Sequence, residues 1–315
     1  MMGTGPFAAP VFQWLVESEH PVLALVTKPD PPARGRSRPP ANPLRIAAEQ
    51  RGIAVLAPAD VNAPTCHASL SQLAPELLVV CDYGQILSAE TLRHAPLGGI
   101  NLHGSLLPRY RGAAPVNYAI WNGDRETGVT AIHMTPRLDA GPVLALRSVE
   151  ISVDEDASSL EIRLAQLGVP CVEDALQQLE RWDRHGPLGV PQDNALASRA
   201  PRLKKSDGLV DWTEPAARIF NQVRALKPWP GSFTFLAGGE KTTRLILHQV
   251  AVEPSTHETT EAGVVTYADR GRLWIGTGCQ FLSLQRVQLP GKRAMDVAEL
   301  LQGRPISPGT RLVNA

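Results

Sequence analysis

The amino-acid sequence predicts an α/β protein, in which a parallel sheet covered by helices on both faces is followed by a small β-barrel. Three observations predict this fold. Short apolar strands alternate with helices through the first half of the chain, and a long amphipathic helix at 158–181 ends that series. In the last third, short strands are separated by glycine and turn residues, a spacing typical of barrels. The length of 315 residues suits two domains.

The elements of the parallel sheet follow in chain order. Residues 8–19 have the apolar stripe of a short helix, and residues 21–27 form a β-branched run typical of a buried strand. The chain then passes through a proline-rich segment at 28–43, which we expect to be an exposed loop, before a helix at 44–51. Further strands are predicted at 53–56, 77–81, 99–103, 129–134 and 143–153.

The first strand of this sheet is shorter than the pattern requires. Gly3 and Gly5 form a glycine turn of the kind that follows a central strand, yet only Met1 and Met2 precede it. We therefore hypothesise that the start codon has been assigned too late and that the strand begins upstream. As a dinucleotide-binding fingerprint the turn is weak, because the third glycine and the acidic residue are missing.

The last third of the chain has a different character. Residues 183–200, rich in glycine, proline and asparagine, are typical of a linker, and a helix is predicted at 215–226. The strands of the barrel are predicted at 231–236, 244–252, 263–268, 272–276 and 281–288. The predicted organisation is a first domain at 1–182, a linker at 183–203 and a barrel domain at 204–315.

The composition excludes several classes of protein. The 31 basic and 31 acidic residues give a net charge of zero, which excludes a uniformly basic nucleic-acid binder. The charge is nevertheless uneven, since residues 201–315 hold 15 Lys and Arg against 10 Asp and Glu. That surplus fits either a surface facing a polyanion or a chance fluctuation on a solvated face. Without an apolar run of about 18 residues or a charged leader, neither a transmembrane helix nor a signal peptide is predicted.

The four cysteines, Cys66, Cys81, Cys171 and Cys279, are far apart and form no C-x-x-C pair. This spacing predicts reduced, mostly buried thiols rather than a disulfide scaffold, and it supports no zinc site. We therefore expect a cytoplasmic protein without a bound metal.

Two candidate catalytic residues lie where a predicted strand ends. Asn101 and His103 are two apart in the strand at 99–103, so both side chains project to one face. Gly104 then begins an irregular loop, rich in hydrogen-bond donors, that suits an anion or a flat heterocycle. Ligands of α/β sheets bind at the carboxyl ends of strands, which favours a functional role. The alternative is a buried polar pair with a purely structural role.

Asp139 is the third candidate, in a tight turn at 137–142 that follows a strand. An aspartate in a turn commonly bonds its own backbone, which is the structural interpretation. The functional interpretation pairs its carboxylate with His103, fixing the tautomer of the imidazole and stabilising its charged form.

The run at 101–115, with residues 138–141 downstream, resembles the folate-dependent formyltransferase family. The similarity extends over essentially the whole chain, in the further segments 2–8, 82–87, 121–130, 211–212 and 228–231. Within the family, the Arg-Gly-Ala-Ala-Pro motif at 111–115 and the C-terminal segments are similar to the branch that acts on initiator methionyl-tRNA.

The resemblance implies a Rossmann-like formyltransferase domain and a C-terminal barrel related to the OB fold. It also implies 10-formyltetrahydrofolate as the formyl donor and the amino group of initiator methionyl-tRNA as the acceptor. Asn101 would donate to the developing oxyanion, His103 would share that role or move the amine proton, and Asp139 would hold His103. Direct transfer is expected, because no serine or cysteine is placed for a covalent intermediate. We also expect a monomer.

The resemblance further implies which residues bind the two substrates. The folate site is expected in the loops after the strands at 77–81 and 99–103, at Asp82, Tyr83, Gly84, Ser105, Leu106, Leu107 and Pro108. The tRNA surface is expected on the proline-rich loop and the C-terminal half, at Arg34, Arg36, Arg38, Lys204, Lys205, Lys241, Lys292 and Arg293. Asp82 departs from the family, in which this position is usually small and apolar.

Two other functions stay open at this point. A formyltransferase acting on a sugar-nucleotide amine would share the core, but it would not need a basic loop at 28–45. An inactive tRNA-binding module would not need Asn101, His103 and Asp139 intact. A glycinamide ribonucleotide formyltransferase would be a shorter chain with a single domain.

Overall fold

The computed structural model describes residues 1–30, 42–238, 241–254 and 261–313. Internal contacts divide the chain into two compact units. The first unit consists of Met1–Pro115, Glu126–Glu150 and Leu160–Pro201, and the second of Val116–Arg125, Ile151–Ser159 and Arg202–Ala315. Each unit is built on its own sheet.

The first unit contains nine short strands in the part of the chain that the structure describes. They are β1 (Met2–Gly3), β2 (Ala24–Val26), β3 (Ala54–Leu56), β4 (Leu78–Cys81), β5 (Gly99–His103), β6 (Arg111–Gly112), β7 (Glu126–His133), β8 (Val143–Glu150) and β9 (Arg199–Ala200). The helices that alternate with these strands along the chain are α1 (Ala9–Glu17), α2 (Pro43–Gln50), α3 (Pro64–Leu73), α4 (Ala89–Leu92), α5 (Pro115–Trp121) and α6 (Ala157–Glu180). Of these, α5 after Pro115 and the first three residues of α6 belong to the second unit.

Seven of the described strands form one sheet in the order β3-β2-β1-β4-β5-β7-β8. The first five are parallel to one another, whereas β7 pairs antiparallel with both β5 and β8. A short connection joins β7 to β8, and a connection too short to cross the sheet reverses the chain direction. β4 is buried along its whole length, as expected for a strand covered on both faces. The predicted α/β fold with a parallel sheet is confirmed.

The carboxyl ends of the parallel strands place three loops side by side. Cys81 of β4 pairs with Leu102 of β5, so the loops after these two strands leave the sheet next to each other. Gly3 of β1 pairs with Cys81 as well, which brings the glycine turn to the same edge. The strand order reverses between β1 and β4, and α/β sheets open their ligand crevice at such a point.

The second unit is built on an antiparallel sheet, which has seven strands in the described ranges. Its elements are α7 (Ala216–Ala225), β10 (Ser232–Gly238), β11 (Lys241–Glu253), β12 (Val265–Asp269), β13 (Arg272–Gly276), β14 (Phe281–Gln288), β15 (Ala294–Asp296), α8 (Val297–Gly303) and β16 (Leu312–Val313). The order is β12-β13-β14-β11-β10-β16, with β15 on β14. A bridge between Val264 and Arg311 links the two edges of the sheet around an apolar core. This curled half-barrel confirms the predicted OB-like domain.

The four cysteines form no disulfide: Cys66, Cys81 and Cys171 are buried, Cys279 is exposed, and all four thiols are free. Among the helices described, none has the length and apolar character needed to cross a membrane. In the same residues, no three His, Cys, Asp or Glu side chains are grouped in a way that could hold a metal ion.

Candidate active site

Asn101 and His103 lie on β5 and project to the same side of the strand. The neighbours of β5 are β4 and β7, and the strand is buried except at Asn101, which is half-buried. The His103 side chain is 6% exposed. Polar side chains in so apolar a strand need hydrogen-bonding partners, and these come from the loops at the carboxyl edge.

Asp139 supplies the carboxylate that both side chains face. It lies between β7 and β8 with a left-handed backbone φ of 49°. Its Oδ2 accepts a hydrogen bond from the Gly112 N–H at 2.9 Å and lies 3.7 Å from His103 Nδ1. Its Oδ1 is 3.5 Å from Asn101 Nδ2. The structure therefore brings the three candidate catalytic residues together, with the Asp139 side chain 9% exposed.

The tautomer of His103 is determined by a backbone carbonyl rather than by Asp139. His103 Nε2 is 2.9 Å from the carbonyl oxygen of Tyr110. Because a carbonyl can only accept, Nε2 carries the hydrogen, and Nδ1 of the neutral ring presents a lone pair toward Asp139. A proton arriving at Nδ1 would then be stabilised by the carboxylate 3.7 Å away. The prediction that Asp139 fixes the tautomer is therefore wrong, because the Tyr110 carbonyl does so.

The Thr130 side chain on β7 holds the loop after β5 through two hydrogen bonds to its backbone. Thr130 Oγ1 donates to the Ser105 carbonyl at 2.7 Å and accepts the Leu107 N–H at 3.1 Å. Ser105 and Leu107 are buried, whereas Leu106 and Pro108 are half-buried. Of the four residues predicted here for the folate site, Ser105 and Leu107 shape the loop, and Leu106 and Pro108 are partly exposed at its surface.

The loop after β4 contains the other three residues predicted for the folate site. The Tyr83 side chain is 1% exposed and belongs to the apolar core that includes Met2 and Val26. Asp82 and Gly84 are exposed and have left-handed backbone φ values of 46° and 73°. Tyr83 therefore anchors the loop to the core, and the neighbouring residues are accessible from solvent.

The carboxyl group of Asp82 lies against the glycine turn, where a Cβ at Gly5 would collide with it. Although the residue as a whole is exposed, the loss of water around this carboxyl raises the pKa of Asp82 to about 6, while the charge of Lys28 acts in the opposite direction. Burial, and secondly the charge of Asp82, raise the pKa of Glu161 on α6. The ionised carboxylate of Asp82 therefore destabilises the folded protein at neutral pH.

Replacing Asp82 by asparagine is expected to stabilise the protein increasingly as the pH rises. The folded-state pKa lies above the ordinary value of 3.8, so folding favours the protonated acid, and this contribution is lost as the pH passes through about 6. Asparagine is neutral throughout and tolerates a left-handed backbone. Urea unfolding at about pH 4.5 and about pH 7.5 measures the difference, with equal m-values as the control. A difference in unfolding free energy that is independent of pH would contradict the assignment.

The residues predicted for the tRNA surface are only partly described. Arg34, Arg36 and Arg38 lie outside the described residues, and Lys241 is the first residue of β11. The side chains that are described and exposed are those of Lys204, Lys205, Lys292 and Arg293. The Arg293 guanidinium contacts both carboxylate oxygens of Glu299, at 2.8 and 2.9 Å, so part of its charge is neutralised. The roles of all eight residues stay predictions.

The segment predicted to be a linker contributes to the site, which its sequence pattern does not indicate. β9, in that segment, pairs with β6 of the loop after β5, and the Tyr110 N–H donates to Ser198 Oγ at 2.9 Å. A Cβ at Gly112 would lie 2.5 Å from the Ala200 carbonyl oxygen, so only glycine fits this close approach. The glycine of the Arg-Gly-Ala-Ala-Pro motif, Gly112, therefore indicates that another backbone segment packs closely against the loop. It does not indicate that this segment contains Ala200.

Comparison with known proteins identifies relatives of the whole chain. Residues 1–176 match the family described as formyl transferase, and residues 202–305 match the formyl transferase C-terminal domain. The chain is 43% identical to methionyl-tRNA formyltransferase of Rhodopirellula baltica, over 99% of this chain and 96% of that protein. It is also 43% identical to methionyl-tRNA formyltransferase of Geobacter sulfurreducens, over 100% of this chain and 96% of that protein.

Solved structures show the same fold at low identity. The sugar 3N-formyl transferase WlaRD, solved with dTDP and 5-N-formyl-THF, has a TM-score of 0.63 at 15% identity and covers 93% of this chain and 97% of its own. HypX from Aquifex aeolicus, solved with tetrahydrofolic acid, has a TM-score of 0.55 at 21% identity and covers 81% of this chain and 43% of its own. These similarities concern the fold and not the substrate.

Proposed function

The chain belongs to the formyl transferase family, among the methionyl-tRNA formyltransferases, and from that premise we propose that it transfers the formyl group of 10-formyltetrahydrofolate to the amino group of initiator methionyl-tRNA. The observation that carries the proposal is the grouping of Asn101 and His103 around the Asp139 carboxylate, at 3.5 and 3.7 Å. Formyl transfer needs a donor for an oxyanion and an acceptor for a proton, and this group contains both. We propose a cytoplasmic monomer.

Asn101 is the donor for the oxyanion. When the neutral amine attacks the formyl carbon, a new C–N bond forms and negative charge develops on the formyl oxygen. The Asn101 carboxamide offers N–H groups for that charge, and its 3.5 Å contact with Asp139 is at the outer limit of hydrogen bonding. Asp139 therefore orients the Asn101 amide, and the amide can still donate a hydrogen bond to the formyl oxygen. Donors fixed in advance in this way are among the largest contributions to catalysis.

His103 is the acceptor for the amine proton. Its Nδ1 carries the lone pair, because Nε2 donates to the Tyr110 carbonyl. After the proton arrives, the imidazolium is held between that carbonyl and the Asp139 carboxylate. The bond to the donor nitrogen then breaks, and the proton can pass from Nδ1 to the departing nitrogen. This sequence needs no covalent enzyme intermediate.

The folate would be held between the loops after β4 and β5. When bound, 10-formyltetrahydrofolate supplies the formyl group on a nitrogen of a folate carrier. The two loops adjoin at the carboxyl edge of the sheet and offer the accessible side chains of Leu106 and Pro108 as apolar walls. The exposed residues Asp82 and Gly84 offer polar groups for the ring edge. Apolar walls with polar groups at one edge therefore fit a flat, partly polar ring.

The tRNA would be bound by basic side chains from two regions. We propose that the domain at 204–315 contacts the tRNA backbone through the exposed Lys204, Lys205, Lys292 and Arg293, together with Lys241. The surplus of 15 basic over 10 acidic residues in 201–315 supports this role. Arg34, Arg36 and Arg38 of the proline-rich loop would contact the acceptor end. Binding through phosphates should weaken steeply with added salt.

A formyl-transfer assay with two separate acceptors tests the proposed function. Labelled formyl is followed from 10-formyltetrahydrofolate to initiator methionyl-tRNA or to a nucleotide-linked amino sugar, with uncharged tRNA as the control that lacks the amine. We expect labelled formyl-methionyl-tRNA. Labelling of the sugar alone would favour a formyltransferase that acts on a sugar-nucleotide amine. A folded, folate-binding protein that labels neither acceptor would favour an inactive tRNA-binding module.

A further inference from the structure

The backbone of the Asp139 turn is held by a side chain from outside the recognised motifs. Gln192 is half-buried, and its Nε2 donates to the carbonyl oxygens of Asp139 at 2.9 Å and Gly141 at 2.7 Å. Its Oε1 accepts from Arg111 Nε at 3.1 Å and from Arg111 Nη2 at 2.7 Å. Carbonyls can only accept and a guanidinium can only donate, so these partners fix which way the amide points.

These hydrogen bonds close a ring that includes the Asp139 carboxylate. Gly112 follows Arg111 in the chain, and its N–H donates to Asp139 Oδ2 at 2.9 Å. The turn is thus connected to the segment Arg111–Gly112 in two ways. The Asp139 carboxylate accepts from Gly112 directly, and Gln192 links the backbone of the turn to the Arg111 side chain. The left-handed φ of 49° at Asp139 is uncommon for a residue with a side chain, and such a conformation persists where surrounding contacts hold it.

We propose that Gln192 is a positioning residue, which sets the place of the Asp139 carboxylate beside His103 during formyl transfer. This inference rests on the proposed function. Asp139 Oδ2 is 3.7 Å from His103 Nδ1, so a further shift of the turn would leave the carboxylate too far away to stabilise a proton arriving at Nδ1. A misplacement of about 1 Å at a reacting group can lower a rate by about 10²-fold.

The substitution Gln192→Glu separates the two halves of the ring. It retains the shape and the oxygen that faces Arg111, but it replaces the donor with an oxygen opposite the Asp139 and Gly141 carbonyls. We expect kcat to fall by about 10- to 10²-fold, with KM for each substrate changed by less than about threefold. The matched control is Asn194→Ala, because Asn194 Oδ1 accepts from Arg111 Nη1 at 3.0 Å and, within the described residues, Asn194 does not bond the turn. This control should keep wild-type kcat.

The backbone amide of Gly112 gives a second measurement that does not depend on activity. In protein with isotope-labelled glycine nitrogen and arginine carbonyl carbon, four glycines follow an arginine and are selected by nuclear magnetic resonance. The Gly112 signal is the one that moves in Asp139→Ala. We expect Gln192→Glu to move the same signal and to speed its hydrogen exchange, since the carboxylate leaves the N–H. Asn194→Ala should leave it in place.

The outcomes distinguish this inference from the proposed function. Wild-type kcat in Gln192→Glu, or an equal loss of kcat in Asn194→Ala, would overturn the positioning role. Wild-type protein that formylates no acceptor would contradict the proposed function instead. In that case an unmoved Gly112 signal in Gln192→Glu overturns the inference, and a moved signal supports the hold that Gln192 has on the carboxylate.

Discussion

The Asn101→Ala protein is expected to transfer formyl groups about 10²- to 10³-fold more slowly than the wild type, with its fold unchanged. The carboxamide lies on β5, beside the Asp139 carboxylate and within a strand that is otherwise buried. Alanine removes the N–H donors for the charge that develops on the formyl oxygen. That charge exists in the transition state and not in the bound substrates. The substitution should therefore lower kcat and leave KM unchanged.

Single-turnover formylation and folate binding measure the two parts of this expectation separately. Asn101→Asp is the matched variant, because it has the shape of asparagine without an N–H donor, and it should be slowed at least as much. Asn101→Ala should bind 10-formyltetrahydrofolate with the wild-type Kd and unfold at the wild-type Tm. Asn101→Asp should unfold at a lower Tm, because it places a second carboxylate about 3.5 Å from Asp139 Oδ1. A kcat for Asn101→Ala above about half of the wild-type value would remove the oxyanion role from this residue.

The strands that the sequence predicts best are those whose boundaries are set by local composition. β5, β13 and β14 begin and end at the predicted residues. β5 and β13 are short and mostly apolar, and β14 combines apolar residues with polar ones in its second half. Turn or glycine residues lie close to the ends of all three, so neighbouring elements have little influence on their limits. The alternation of such runs with amphipathic helices is also sufficient to predict the α/β fold of the first unit.

Four of the described helices are not predicted by the sequence, because these segments carry little periodic signal. α4 has 4 residues, and α5 and α8 have 7 residues each, which is too short to show an apolar stripe. α3 is longer, yet only Cys66 and Leu70 are buried on it, and small or polar residues fill most other positions. Tertiary contacts rather than sequence pattern therefore decide that these segments are helical.

The residue types of the candidate site are visible in the sequence, whereas the connections between them are not. Asn101, His103 and Asp139 have side chains whose chemistry by itself suggests a catalytic role. Tyr110 contributes a backbone carbonyl, which every residue possesses, so nothing in the sequence indicates that it fixes the imidazole of His103. Gln192 is 53 residues from Asp139 in a segment typical of a linker, and only the folded chain brings the two together.

The Asp139→Asn protein is expected to show a kcat about 10²-fold below wild type, with KM for both substrates close to the wild-type value. The amide oxygen can still accept the Gly112 N–H, and asparagine can keep the left-handed turn. The variant removes the negative charge together with the long contact to Asn101 Nδ2, since the amide nitrogen then faces that donor. Without that charge, the proton on His103 Nδ1 loses its counter-ion at 3.7 Å. The tautomer of the neutral ring should persist, since Tyr110 fixes it.

A double variant decides whether Asp139 acts through His103. If the two residues work as one unit, His103→Ala combined with Asp139→Asn should be no slower than His103→Ala alone, because the carboxylate has no imidazolium left to stabilise. Asp139→Ala is the comparison for structural damage, since it also leaves the Gly112 N–H without its acceptor and should lower Tm. A double variant slower than His103→Ala by another factor of about 10² would instead mean that the carboxylate acts on the amine directly or through Asn101.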